Sequence, residues 1–197
     1  MTDRKLTRRE AVGLLAAAVP LASIGPNSVA HAVRQAQAAL GADAAFAPKF
    51  FTPHEWTTVR TLVDIIIPKD DHSGSATDAA VPEFMDFILV AYPDEHQWMR
   101  NGLAWLDAES KRRSKKSFLA SSTTERKALL DDIAYPEKAP AAMKDGVKFF
   151  NGFRDFTASG FYSSRMGVDD LQYKGNTVVA EWKGCPDAVL DRLGVHY

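Results

Sequence analysis

Residues 52–68 read TPHEWTTVRTLVDIIIP, and this stretch sets the fold class. Thr52 stands three residues before Glu55, with Pro53 at the first helical position. That is the N-terminal signature in which the Thr and Glu side chains each satisfy a backbone N–H that the first turn leaves free. Behind it Trp56, Val59, Leu62, Val63, Ile66 and Ile67 recur at helical spacing until Pro68 stops the run. The pattern predicts an amphipathic helix with one face in a core.

Working outward, residues 69–79 read as a polar loop. A second helix is predicted from about Pro82, with Phe84, Phe87, Ile88 and Ala91 on one stripe. Pro93 and Asp94 are expected to cap a third, with Gln97 three residues on and Trp98, Gly102, Trp105 and Leu106 facing inward. Ser122 with Glu125 repeats the reciprocal cap and opens a helix through Leu129, Leu130 and Ile133. Residues 143–162 read as a long aromatic helix carrying Phe149, Phe150, Phe153, Phe156 and Phe161. The tail from residue 165 is expected to be mostly loop, with a short helix after Pro186. No strand pattern of useful length and no repeat appears. The fold class is therefore all-α: a compact, irregular bundle of about five or six helices with a loop-rich C-terminal tail.

The N-terminus has a different character. Residues 1–9 are polar and basic, and a weakly apolar, Ala-rich run follows over residues 11–22. Small residues at Ser28, Ala30 and Ala32 would allow a signal peptidase to cut after Ala30 or Ala32. The apolar run is too short to span a bilayer. Its weak hydrophobicity, with Arg8 and Arg9 just ahead of it, fits a twin-arginine signal better than a general secretory one. The expected organisation is a signal peptide over 1–32, a tether with room for some helix over 33–49 and a single helical domain over 50–197. Localisation is then periplasmic.

The 197 residues carry 24 Lys and Arg against 25 Asp and Glu, so the chain lacks the basic excess of a nucleic-acid binder. The five histidines (His31, His54, His72, His96, His196) show no pair at ligand spacing. There is no haem-attachment motif, no cysteine cluster, no phosphate-binding glycine loop and no nucleophile elbow, and so no motif for a cofactor in this chain. Asp70-Asp71-His72 is the best candidate for a divalent ion. Three adjacent ligands cannot wrap one ion without help, and acidic loops are usually just solvated. Asp64 and Glu83 read as helix-end charges. The run over residues 111–116 (KRRSKK) places cations at a helix C-terminus, where the dipole favours them, or else meets an anionic surface. Cys185 is the single cysteine, either buried as a free thiol or paired with another chain.

Three stretches, in order, resemble the gluconate 2-dehydrogenase small-subunit family. The first is Phe50-Phe51-Thr52 leading to Asp64-Ile65-Ile66-Ile67-Pro68, with Asp71, Gly74 and Ala76 beyond. The second is Ala80-Val81-Pro82-Glu83-Phe84-Met85-Asp86. The third and most specific runs Gly167-Val168-Asp169-Asp170-Leu171-Gln172-Tyr173-Lys174-Gly175-Asn176, then on to Gly184-Cys185-Pro186. The resemblance implies a non-catalytic subunit of a sugar, sugar-acid or glycoside dehydrogenase whose large subunit holds FAD. It also implies a multihaem cytochrome c (haem c) as electron acceptor or anchor, so membrane association would come only through the complex. Arg8 and Arg9 would then export the large subunit together with this chain. Cys185 would offer an intersubunit disulfide. Gly167, Asp170, Leu171, Tyr173, Gly175 and Asn176, with Phe149, Phe153 and Phe156, would form the contact surface. Two other classes stay open: a free-standing binding or scaffold module, and a metal-assisted hydrolase using Asp70, Asp71 and His72.

Overall fold

The computed structural model describes residues 31–32, 34–36, 38, 46–173, 175, 181 and 184–195. The expected signal sequence lies outside them except for His31 and Ala32. All regular structure among the described residues is helical. From residue 53 onward the helices are α1 (Pro53–Ile66), α2 (Val81–Ala91), α3 (His96–Ser114), α4 (Thr123–Ala134), α5 (Lys144–Tyr162), α6 (Arg165–Asp170) and α7 (Asp187–Leu193). Single 3₁₀ turns at Pro93–Glu95 and Ala141–Met143 lead into α3 and α5.

Both reciprocal caps form. The Thr52 hydroxyl accepts from the Glu55 N–H while the Glu55 carboxylate accepts from the Thr52 N–H, and Ser122 and Glu125 repeat the arrangement. Pro93 and Asp94 do not cap α3 directly. They form the 3₁₀ turn, and the helix proper starts at His96, because Pro93 fixes a tight turn that the Tyr92 carbonyl closes through the Glu95 N–H.

The axis of the bundle is α5, which touches α1, α2, α3, α4 and α6. Its Phe149, Phe150, Phe153, Phe156 and Phe161 are all buried, and Phe84 of α2 meets Phe156 edge-on. Aromatic rings seat on glycines across the helix interfaces. Phe149 rests on Gly102 of α3, and Trp105 of α3 rests on Gly146 of α5. These bare backbone patches bring α3 and α5 close enough for large rings to fill the gap without a void. Trp98 and Trp105 themselves are only half-buried, lying along the edge of that interface.

The chain enters the bundle through a polar clamp. Asp86 of α2 is 2 % exposed, yet its carboxylate accepts from the backbone N–H groups of Lys49, Phe50 and Phe51 at 2.9, 2.9 and 3.2 Å. From α3, Arg100 donates to the Phe50 carbonyl at 2.8 Å and to both Glu55 oxygens, and its guanidinium lies 4.4 Å above the Phe50 ring. A buried carboxylate is tolerable because three N–H dipoles replace its water.

At the end of the expected signal and the start of the tether, residues 31–32, 34–36 and 38 are helical, and Ala32 and Ala36 are buried in the core. Alanine-rich sequence carries little hydrophobic contrast, but its small side chains permit close packing. Residues 165–170 are helix rather than loop, because buried Ser164 caps them by accepting the Gly167 N–H. Of the two acids read as helix-end charges, Asp64 near the end of α1 is half-buried and accepts the Thr77 N–H at 2.8 Å, and Glu83 in the first turn of α2 is buried.

Candidate partner-docking site

The loop after α1 and the start of α6 are about a hundred residues apart in sequence, and they line one cleft of about 540 Å³. His72, Gly74 and Asp78 come from the loop, and Arg165, Asp169 and Asp170 from α6. The loop is built by its own acids. The Asp70 carboxylate accepts from the His72 and Ser73 N–H groups, both at 2.8 Å, and these bonds hold its pKa below the usual range. Asp78 accepts from the Ser75 N–H at 3.0 Å. Gly74 sits where a Cβ would lie 2.9 Å from Asp78 and 3.0 Å from the Met166 methyl, so the two walls close up at that point. Across the cleft, the Arg165 and Asp169 pair at 3.8 Å is largely exposed and contributes little.

The structure places the residues singled out in the sequence as follows. One Asp70 oxygen, Oδ1, accepts both turn N–H groups. Among the described residues, no three His, Cys, Asp or Glu side chains are arranged to hold an ion. Gly167 is buried: a Cβ there would lie 2.2 Å from the Phe161 carbonyl oxygen, so its role is to let α6 fold against the end of α5. Phe149, Phe153 and Phe156 are likewise inside the chain's own core rather than on a contact surface. Their apolar face is covered by α2 and α3. Asp170 borders the cleft, Leu171 and Tyr173 are exposed, and exposed Gly175 takes the left-handed conformation with φ 69°. Asn176 lies outside the described residues. Cys185 is a half-exposed free thiol just before α7.

Exposed apolar side chains gather on the same C-terminal part. Of the nine large ones among the described residues, six lie beyond residue 161: Tyr162, Leu171, Tyr173, Val189, Leu193 and Val195. Helix α7 buries none of its residues. Apolar surface left open over this part of the sequence suits cover by another protein.

The chain matches the gluconate 2-dehydrogenase subunit 3 model over residues 53–180, more than half its length. The chain belongs to the gluconate 2-dehydrogenase subunit 3 family. The match opens on the first residue of α1, spans the bundle and α6, and ends before α7. No curated protein and no solved structure matches the chain. Membership in the subunit 3 family makes it an accessory subunit and implies partner subunits. Two of the three stretches that carry the resemblance, around Gly74 and from Gly167, are the two walls of the cleft. Among the described residues, no helix is long and apolar enough to cross a membrane.

Sequence reasoning missed the roles of Asp86 and Arg100 and the burial of Glu83. Glu83 sits in the first turn of α2 with its side chain 3 % exposed and Oε1 3.5 Å from Arg60 Nη1, while Oε2 is buried without a hydrogen-bond partner. Burial pushes its pKa up, and its own backbone N–H and Arg60 only partly offset that. The folded chain therefore holds a proton that the unfolded chain has already released, and stability falls as pH rises through that window. Glu83→Gln is expected to match the parent below about pH 4 and to be more stable at pH 8. Urea titrations at the two pH values check this; a less stable variant at pH 8 would mean that Arg60 outweighs burial.

The basic run is partly internal in its bonding. Arg112 and Arg113 both bind Glu109, whose pKa falls to about 2 chiefly through the Arg112 hydrogen bond. Arg113 also reaches Asp132 at 2.7 Å, tying α3 to α4.

Proposed function

We propose that this chain is the non-catalytic small subunit of a periplasmic, FAD-dependent sugar or glycoside dehydrogenase. It carries the flavoprotein through twin-arginine export and stabilises it afterwards. FAD resides in the large subunit, and a cytochrome c subunit with haem c receives the electrons and ties the complex to the membrane. The observation that carries the reading is the concentration of exposed apolar side chains in the sequence beyond residue 161, in a chain whose family is that of an accessory subunit. A folded protein gains by covering such a surface, and a partner that binds only the native state stabilises it by mass action. Leu171 and Tyr173, with Asp170 and Gly175 nearby, are the centre of the contact, and the half-exposed Cys185 thiol bridges the two chains.

The test uses co-expression with the flavoprotein. Omitting this chain should reduce soluble, flavin-loaded large subunit in the periplasm. Arg8→Lys with Arg9→Lys keeps the charge but removes the arginine pair, and should empty the periplasm of both chains. Normal periplasmic flavoprotein in either case would refute the escort role.

A further inference from the structure

The last turn of α1, one face of α4 and the middle of α5 enclose a groove of about 350 Å³. Both α1 and α4 pack on α5, so the groove is walled by helices rather than by loops. Leu130 of α4 and Phe150 of α5 line it and are buried. Ile65 of α1 and Tyr135, the residue after α4, line it too, but they are 38 % and 57 % exposed. Ahead of Tyr162 the described residues include three exposed large apolar side chains, Ile65, Val90 and Tyr135, and two of the three open on this groove.

Two cations and one acid share the lining: Lys127, Arg154 and Asp131. Lys127 and Asp131 pair along α4 at 3.2 Å, both largely in solvent. Arg154 is the charge left over. Its hydrogen bond to the Ala134 carbonyl is a long one, at 3.5 Å from Nη1, and no carboxylate among the described residues pairs with it. A guanidinium has five N–H donors in a planar fork that fits a carboxylate two at a time. An apolar groove with a spare cation at its side is complementary to an apolar side chain next to a carboxylate. A helix offers that combination on one face, at positions three or four apart. The groove also lies wholly within residues 53–180, the part that matches a family of accessory subunits, and such a subunit implies a partner.

We infer that this groove takes an amphipathic segment of the large subunit. An apolar side chain of that segment sits between Ile65 and Tyr135 over Leu130 and Phe150, and a neighbouring Asp or Glu pairs with Arg154. The inference rests on the accessory-subunit reading above and adds a second contact to the C-terminal one. The test uses the complex of the full chain with the flavoprotein, purified with Cys185→Ser so that no disulfide masks the affinity. Diluting it and following the fraction of flavoprotein still bound gives Kd. Arg154→Glu and, separately, Tyr135→Ala should each raise Kd at least about tenfold, with Arg154→Lys in between. Both side chains are exposed, so the melting temperature of the chain should not change. Unchanged Kd in both variants would overturn the groove contact alone, and a parent chain that binds no flavoprotein would overturn the accessory-subunit reading with it. Self-association of the parent chain that Arg154→Glu abolishes would assign the groove to a second copy instead. A small carboxylic acid recovered from the purified complex and lost in that variant would assign it to a small ligand.

Discussion

Asp86→Ala is expected to destabilise the fold by about 3–5 kcal/mol, in the range found when one partner of a buried charged contact is removed. The carboxylate is the acceptor for the N–H groups of Lys49, Phe50 and Phe51, and the Phe50 and Phe51 rings are buried and meet edge-on. Alanine would leave the buried Phe50 and Phe51 N–H groups without their acceptor. The loss should spread, because Arg100 holds Phe50 from the other side and also fixes Glu55 of the α1 cap. Asp86→Asn keeps one acceptor oxygen and should fall between the two. At this chain length the alanine variant should melt roughly 10 °C lower. A shift under about 2 °C would mean that the entry segment is held by its rings alone.

Gly102→Ala has the second-largest expected effect, and its sign is informative. In an exposed helix this change would stabilise by about 1 kcal/mol through propensity. Here a Cβ would fall 1.8 Å from Phe149 Cδ2 and 2.3 Å from two more ring carbons. The ring has no room to retreat, with Trp98 at 5.8 Å and Phe153 at 5.4 Å. Overpacking should therefore win, costing about 2–3 kcal/mol net. Phe149→Leu placed in the same chain should recover part of that loss, and a double-mutant cycle from denaturant melts measures how much. Additive effects of the two changes would mean that the ring and glycine do not share the strain.

The capped, periodic helices were legible because their signals are local. The Thr52 and Ser122 caps and the aromatic run of α5 each identify themselves within a few residues. The Asp86 clamp was not legible, because a lone acid in an apolar stretch acquires its meaning from backbone 35 to 37 residues away. Phe149, Phe153 and Phe156 illustrate a related limit: periodicity shows that rings share a face, but not whether the covering surface is the same chain or another. Helix α6 is only six residues long, too short for periodicity to register, and its cap at Ser164 was the available signal. The cleft formed only when the fold joined two separate stretches, although each carried the family resemblance.

The central claim is that this chain works as one part of a flavin-bearing complex. Recovery of the untagged chain from the periplasm under gentle, non-reducing conditions tests it most directly, with mass spectrometry and an absorption spectrum of the fraction that contains it. The account predicts that the chain elutes with a larger protein showing a flavin spectrum, and that Leu171→Asp with Tyr173→Asp separates the two while leaving each folded. A colourless chain eluting alone at its own mass, with periplasmic flavoprotein intact in other fractions, would contradict it.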